Sequence, residues 1–346
     1  MRRGVREGAP PRRSWRTAMR SLKYILRRLL YAIPTLLAIS ILTFALSRLA
    51  PGDPVRLFTF GATDLTQQDI EALRHTYGLD QPAPVQYGDW LWSAVFFDVG
   101  RPPSLASQSI LYHRPAAGLL FERLGNTLQL ALAALLLQLL IGVPLGVIAA
   151  FKRGSLTDKF VRIFAVSGHA LPTFWLGLML IYLVSVNLRL LPSQGLLTIG
   201  HDQWDIPDRL RHILMPAFVL ALAGIANYSR YLRTETLEVI SQDFIRTAHA
   251  KGLRERTVIV SHAFRNALIP VVTALGGILA VLVSGALIVE QVFTWPGVGQ
   301  FTYAAVRSKD YPIVMAGVMF ASTLLVLSYI IRDIAYSVVD PRIKAS

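Results

Sequence analysis

The sequence predicts an all-α polytopic membrane protein with six transmembrane helices. Of its 346 residues, 53% are hydrophobic and only 16% are charged, against about 25% charged residues in a typical soluble domain. A spanning helix needs about 20 mostly apolar residues. Stretches of about this kind occur at 29–47, 127–151, 163–188, 213–228, 268–292 and 313–331. Composition therefore argues against a soluble enzyme, and the absence of cysteine excludes disulfides and thiolate metal sites.

The first apolar stretch follows an arginine-rich segment. Residues 1–20 are predicted to be a basic, disordered cytoplasmic tail, with Met19 as an alternative start. The run that follows is longer than the apolar core of a secretory signal, and no cleavage site after it is clear. We therefore expect a retained first transmembrane helix within 21–50 and a long external loop region, 51–123, between helices 1 and 2.

The remaining five stretches form a predicted core at 124–337, with a cytoplasmic tail at 338–346. The fourth stretch is the weakest because it ends in polar residues, and we expect it to continue as a helix into the cytoplasm. Proline and glycine recur inside the spans, Pro172 among them. They favour kinks and close contacts between helices.

The positive charge indicates an orientation. The formal net charge of +14 is compatible with nucleic acid, anionic lipid or membrane topology. Of the 35 Lys and Arg residues, 24 lie in 1–28, 152–162, 229–267 and 332–346, and 11 lie in the alternate segments. Because basic residues are retained in the cytoplasm, both termini are predicted to be cytoplasmic. The charge therefore fits topology better than a nucleic-acid surface.

Few groups that carry out chemistry lie at membrane depth. Glu290 is the one acid inside a predicted span, and we interpret it as an interfacial or helix-packing residue rather than a proton relay. This scarcity disfavours an ion-coupled secondary transporter. The chain also has no phosphate-binding loop, no H-E-x-x-H and no nucleophile elbow, so we expect neither an enzyme nor a metal protein. His169 is expected to make a polar contact within the helix bundle.

The predicted cytoplasmic loop 229–267 contains a short helix with its own end signals. Residues 241–253 read S-Q-D-F-I-R-T-A-H-A-K-G-L. Asp243 can cap the N-terminus, Lys251 suits the C-terminal end of the helix dipole, and Gly252 can end the helix in a left-handed conformation. Its small apolar face consists of Phe244, Ile245 and Ala248. Such a helix either docks into a partner or lies on the membrane surface.

The same segment resembles the coupling loop of binding-protein-dependent ABC transporter permeases. R-T-A-H-A-K-G-L at 246–253 is followed by H-A-F-R-N-A at 262–267 and by Pro270. The general pattern of that superfamily is E-A-A, three residues, then Gly. Here Arg246, Thr247 and Ala248 precede Gly252, so the glutamate is absent. That departure is typical of the peptide/nickel branch.

Further motifs of this branch follow in the same order after residue 21, and the external loop of 79 residues at 48–126 resembles the first, B-type permease of dipeptide systems. These motifs include Y-I-L-R-R-L-L at 24–30, P-G-D-P at 51–54, Y-G-L-D-Q-P at 77–82, N-T-L at 126–128, P-T-F-W at 172–175, W-P-G-V-G at 295–299, D-Y-P at 310–312 and D-P-R at 340–342. The family-motif or packing residues are Arg265, Asn266, Pro270, Glu290, Trp295, Pro296, Gly297 and Gly299.

The resemblance implies the type I ABC importer permease fold in a bacterial or archaeal cytoplasmic membrane. The implied partners are membrane lipid, a second homologous permease, two ABC ATPases that bind ATP and Mg, and an extracytoplasmic solute-binding protein. The chain itself would hold no cofactor. The residues implied to couple it to the ATPases are Asp243, Phe244, Arg246, Thr247, Ala248, Ala250, Lys251, Gly252 and Leu253.

The resemblance further implies dipeptides or oligopeptides as cargo, while nickel chelates, glutathione and oligosaccharides stay open. An intramembrane enzyme, a different class of protein, would need a nucleophile and base, or metal ligands, facing each other at membrane depth. The sequence offers no such set.

Overall fold

The computed structural model describes residues 13–49, 66–76, 78–96, 107–202, 204–243, 245, 250 and 286–339. For residues 13–26, 96 and 332–339 it describes the backbone alone. Regular structure in these ranges is helical, apart from one isolated bridge between Gln108 and Pro115. The predicted all-α class is therefore confirmed for the described part of the chain.

The helices follow one another with short connections along most of the described chain. They are α1 (Arg13–Leu49), α2 (Gln67–Thr76), α3 (Ala83–Phe96), α4 (Ala116–Leu137), α5 (Val143–Phe151), α6 (Leu156–Ala170), α7 (Thr173–Leu180), α8 (Ile206–Ile240), α9 (Val298–Ser308) and α10 (Tyr311–Val339). A π-helical turn, Gln138–Gly142, joins α4 to α5, and a second, Ile181–Asn187, extends α7.

Four helical segments of the described chain are long and apolar enough to cross a membrane, and a bent pair could supply a fifth span. The four are Arg27–Leu49, Ala116–Phe151, Ile206–Ile240 and Tyr311–Ile331, and they contain the first, second, fourth and sixth predicted stretches. As expected, the fourth continues as a helix beyond its apolar stretch. Most of the fifth stretch, 268–292, lies outside the described residues.

The third predicted span is not one straight helix. Between α6 and α7 the chain bends by 104° at Leu171 and Pro172. Proline disfavours helical backbone at the residue before it, and Leu171 has extended ψ of 124°. The third predicted stretch, 163–188, is therefore two helices joined at a sharp bend, because this local steric effect interrupts an otherwise apolar stretch.

Helix α8 lies at the centre of the bundle and contacts α4, α5, α6 and α7. Much of its length is buried, from Met215 to Ala226 above all. Gly142, the last residue of the π-helical turn, and Gly146 of α5 approach it, at a G-x-x-x-G spacing that permits close backbone contact. A Cβ atom at Gly146 would lie 2.6 Å from the Ser229 carbonyl oxygen. Small residues thus set the distance between these two helices.

Helix α1 packs along α10 and keeps most of its described side chains exposed. Its contact with the rest of the chain centres on Phe44, which packs with Trp90 of α3 and Met315 of α10. Helix α3, from the predicted external loop, is therefore anchored on the first and last helices. Helix α4 begins at Ala116, earlier than residue 127, where its apolar stretch starts.

Candidate functional site

Glu290 lies at the end of the bundle where the segments predicted to be external meet. Its side chain is fully buried. One carboxylate oxygen accepts a hydrogen bond from the Thr127 hydroxyl at 2.7 Å, and the other accepts from the Gln300 backbone N–H at 2.9 Å. The Gly299 backbone N–H also donates to the carboxylate. Because the last two donors belong to the first turn of α9, the acid stabilises the positive end of that helix.

The turn 295–297 is bonded to the neighbouring helices on both sides. The Trp295 backbone N–H donates to the Glu290 carbonyl at 2.8 Å, and its indole N–H donates to the Asn126 carbonyl at 2.9 Å. The Asn126 side chain donates in return to the Pro296 carbonyl at 2.9 Å. The Val298 N–H donates to the Thr127 hydroxyl oxygen at 2.9 Å. This reciprocal set of bonds joins segment 286–292, α9 and α4 into one unit.

Two of the predicted motif glycines leave room for this unit. A Cβ atom on Gly297 would overlap the Glu290 carboxylate, and one on Gly299 would lie 2.7 Å from the Leu287 Cα atom. Their backbone conformation is not the reason, since Gly297 has an ordinary extended φ of −98°. Close packing explains why glycine occupies both positions.

The geometry gives Glu290 a packing role. Its described partners are a hydroxyl group and backbone N–H groups, which hold the carboxylate in place and do not exchange protons readily. Among the described residues, no three His, Asp or Glu side chains are grouped so as to hold a metal ion.

The loop between α7 and α8 is tied to the same end of the bundle. The Gly195 N–H donates to the Phe293 carbonyl at 2.9 Å, and the Thr294 hydroxyl donates to the Gln194 side chain at 3.1 Å. The backbone and side chain of Thr198 donate to the two oxygens of Asp208, at 2.6 and 2.8 Å.

An ion pair lies just before α8. His201 Nδ1 is 2.8 Å from an Asp205 carboxylate oxygen, and Asp205 also caps the helix by accepting the Asp208 N–H. The hydrogen bond to Asp205 raises the pKa of His201, and the same bond lowers the pKa of Asp205. Both shifts favour the charged pair.

A third link connects the predicted external loop to α10. Asp310, fully buried at the start of that helix, accepts the Ser109 hydroxyl at 2.5 Å and the Leu111 N–H at 3.2 Å through one oxygen. The turn around Ser109 is thereby held against the connection between α9 and α10. All the predicted external segments with described residues at this end are therefore interconnected.

At the opposite end of the bundle, an ion pair joins α6 to α8. The Arg233 guanidinium donates to both oxygens of Asp158, at 2.5 and 3.0 Å. The Asp158 side chain is only 2% exposed and also accepts the Gly154 N–H at 3.0 Å. A bidentate pair of this kind fixes orientation as well as distance. The start of α6 is thus clamped to the end of α8.

The predicted coupling segment begins next to this clamp. Ile245 is buried against Val239 at the end of α8, with Phe151 of α5 packed against them. Asp243 has helical backbone and therefore lies in the first turn rather than at the capping position; it is exposed, as is Ala250. The remaining implied coupling residues lie outside the described ranges, namely Phe244, Arg246, Thr247, Ala248, Lys251, Gly252 and Leu253, as do the motif residues Arg265, Asn266 and Pro270.

Sequence reasoning did not identify Asp158, Arg233 or Asp208. One signal was available for Asp158: it follows Ser155 at the spacing of a capping box, and the Ser155 side chain does accept its N–H at 3.3 Å. That pattern predicts an exposed helix end, however, and says nothing of an arginine 75 residues later.

Comparison with known proteins agrees with this architecture. Residues 142–345 match the family described as binding-protein-dependent transport system inner membrane component, and residues 21–131 match its N-terminal region. The oligopeptide transport system permease protein AppB of Bacillus subtilis is 41% identical over 321 residues, which cover 93% of this chain and 99% of the relative. The dipeptide transport system permease protein DppB of Escherichia coli is 36% identical over 343 residues, covering 93% and 99%.

These matches span nearly the whole chain and confirm the resemblance to B-type permeases. The family name and the apolar helices together identify a multi-pass inner membrane protein. The chain therefore belongs to the family of binding-protein-dependent transport system inner membrane components, the permease subunits of ABC transporters.

Proposed function

We propose that this chain is the B-type permease subunit of an ATP-driven importer that carries dipeptides or oligopeptides across the cytoplasmic membrane. The observation that carries the proposal is the match, over more than nine-tenths of the chain, to permease proteins of oligopeptide and dipeptide transport systems. The partners would be a second permease, two ATPases that bind ATP and Mg, and an external solute-binding protein. Both termini would be cytoplasmic.

The contacts at the predicted cytoplasmic end support a coupling role for the segment after α8. Ile245 packs on the ends of α5 and α8, and the Asp158 and Arg233 ion pair adds the start of α6. A force applied to this segment by a moving ATPase would therefore reach three helices together. Close packing transmits such displacements because packed cores are not continuously deformable.

The direct test of the proposal is peptide uptake by the complete transporter. The permease pair, its ATPases and its binding protein are reconstituted in liposomes, and uptake of radiolabelled trialanine is measured with and without ATP. We expect ATP-dependent uptake that stops when this chain is omitted. Uptake of nickel chelates, glutathione or oligosaccharides in place of trialanine would contradict the peptide assignment.

The coupling role is tested at Gly252, the predicted left-handed end of the coupling helix. Gly252→Val should abolish uptake while ATP hydrolysis and membrane insertion continue, because a β-branched residue strongly resists that conformation. The control is Gly200→Val, which places valine at a left-handed position (φ +92°) in the predicted external loop, where a Cβ has open space. Normal uptake in Gly252→Val would refute the role assigned to this helix.

The orientation is tested by labelling single cysteines, since the native chain has none. A cysteine at Glu71 should react with an impermeant thiol reagent in intact cells, and a cysteine at Lys251 should react only after the membrane is opened. The reverse pattern would refute the orientation.

A further inference from the structure

A pair of polar side chains joins α6 to α8 on the surface of the bundle. His169 Nε2 and Asn227 Oδ1 are 2.6 Å apart, so the polar contact predicted for His169 is present. Both residues are exposed, whereas Gly168 and Ala226, which precede them in sequence, are buried. A Cβ atom at Gly168 would lie 3.0 Å from the Ala226 Cβ. This close helix contact holds the pair in place.

The positions of the two residues along their helices give the depth of the pair. At about 1.5 Å per residue, His169 lies about 9 Å inside the third predicted span, counted from its cytoplasmic start at residue 163. Asn227 lies one residue before the cytoplasmic end of the fourth predicted span at residue 228. The pair thus lies at the cytoplasmic side of the membrane, between its surface and a depth of about 9 Å.

An exposed polar pair at this depth faces water or another protein, because lipid would leave its hydrogen-bonding groups unsatisfied. The rest of α8 favours water. From Asn227 toward the predicted cytoplasmic end, the exposed positions Arg230, Tyr231, Thr234 and Glu238 lie on one helix face at spacings of 3, 4, 7 and 11 residues. Polar side chains such as His and Asn also bond transmembrane helices to one another, but this stripe continues past residue 228 into the predicted cytoplasmic segment 229–267. The stripe therefore joins the pair to the aqueous side of the membrane.

The hydrogen-bonding capacity of the pair matches a peptide group. Asn227 Oδ1 can only accept, so His169 Nε2 donates to it and His169 Nδ1 remains as an acceptor. The Asn227 amide nitrogen keeps two N–H donors. One acceptor beside two donors complements the N–H and C=O of a main-chain amide. Every peptide carries that group, whatever its side chains.

We infer that His169 and Asn227 form a contact point for the main-chain amide of the peptide cargo in the translocation path. This inference rests on the proposed function as a peptide importer and adds the residues that the cargo touches.

The test uses the complete importer in liposomes, with Asn227→Cys in this naturally cysteine-free chain. Labelling by a charged, water-soluble thiol reagent is followed by the mass of this chain. Leu140→Cys is the control, since Leu140 is an exposed apolar position (69%) in the second span. We expect Asn227→Cys to react at least about tenfold faster than the control, as water-facing groups do. Turnover with trialanine, binding protein and ATP should slow its labelling severalfold.

A second measurement uses uptake and keeps the inference testable where the cysteine variant is inactive. His169→Leu should lower the maximal uptake rate by about fivefold to tenfold, the effect expected for loss of one hydrogen bond, without changing trialanine affinity of the binding protein. His169→Gln, which keeps a donor and an acceptor, should stay within about twofold of the wild type.

Four results would overturn the inference. Labelling of Asn227→Cys no faster than that of Leu140→Cys would place the pair against lipid or the second permease. Unprotected labelling, or full uptake by His169→Leu, would remove the cargo contact while leaving peptide import intact. Failure of the wild-type importer to take up trialanine would remove the proposed function and this inference with it.

Discussion

Replacing Thr127 by valine tests whether the bonds around Glu290 hold the predicted external end together. The substitution conserves shape and removes one hydroxyl group. That hydroxyl donates to the buried carboxylate and accepts the Val298 N–H. A hydrogen bond to a charged group contributes about 1.5 to 3 kcal/mol, and an unsatisfied buried N–H costs about 1 to 3 kcal/mol. Since such effects are not fully additive, we expect a loss of about 3 kcal/mol.

A loss of this size should lower the unfolding midpoint by roughly 6 to 12 °C, at 2 to 4 °C per kcal/mol for a large domain. The purified chain is heated in detergent, and the midpoint is read from size-exclusion profiles. Thr323→Val is the matched control, since its hydroxyl donates to the Met319 carbonyl of its own helix and should contribute less than about 1 kcal/mol.

The reasoning is refuted if Thr127→Val and Thr323→Val have the same midpoint. It is refuted equally if Glu290→Gln and Thr127→Val add fully in the double variant, because two residues that share a hydrogen bond should couple by about 0.5 kcal/mol or more.

Three further predictions concern other parts of the described structure. Gly297→Ala should destabilise the chain by about 1 to 3 kcal/mol through overpacking against the buried carboxylate. Gly88→Ala, in open space on α3, should be neutral or slightly stabilising, and equal midpoints would contradict the packing argument. Asp158→Asn should lower the free energy of unfolding by about 2 to 4 kcal/mol and lower the uptake rate, since it leaves the partly buried Arg233 guanidinium without its anion. An unchanged unfolding midpoint and an unchanged uptake rate would show that this ion pair does not hold α6 to α8. Asp205→Asn should lower the pKa of His201 toward its ordinary value, because the carboxylate that raises it is gone. The raised pKa adds stability that is full below the ordinary value near 6.5 and is lost as pH rises through the folded-state pKa. NMR titration of the histidine measures the pKa of His201. An unchanged pKa in Asp205→Asn would show that Asp205 does not raise it.

The length of the apolar stretches predicted most of the spanning helices. Transfer of a helix into lipid depends on the summed hydrophobicity of about 20 residues, which can be read directly from the sequence. The polar ending of the fourth stretch also indicated a helix that continues past its apolar part, and α8 does so. The bend at Leu171 was harder to predict. Pro172 is visible in the sequence, but prolines inside spans are often tolerated when neighbouring helices satisfy the freed backbone groups. Only the packing decides between a kink and a break.

The bonds within the candidate site could not be predicted, because they join residues far apart in sequence. Glu290 bonds to Thr127, 163 residues away, and Asp158 bonds to Arg233, 75 residues away. Because Glu290 lies near the end of its predicted span, the sequence favoured a packing role for it. The sequence does not show which N–H groups donate to Glu290, because this depends on the turn at Trp295, whose shape comes from its contacts with α4.

The bend at Leu171 and the ion pair between Asp158 and Arg233 suggest which helices would move together under the proposed coupling. Helix α8 is continuous over 35 residues, about 52 Å, so it connects the bonded end at Asp208 to the predicted coupling segment after Ile240. Helix α6 is fixed to the far end of α8 by Asp158 but is separated from α7 by the bend at Leu171. Under the proposed coupling, a displacement of this segment would move α6 with α8, whereas α7, which also contacts α8, is separated from α6 by the bend. His169 lies in α6, two residues before Leu171, so the proposed cargo contact would be carried by the helix pair on which the proposed ATPases act.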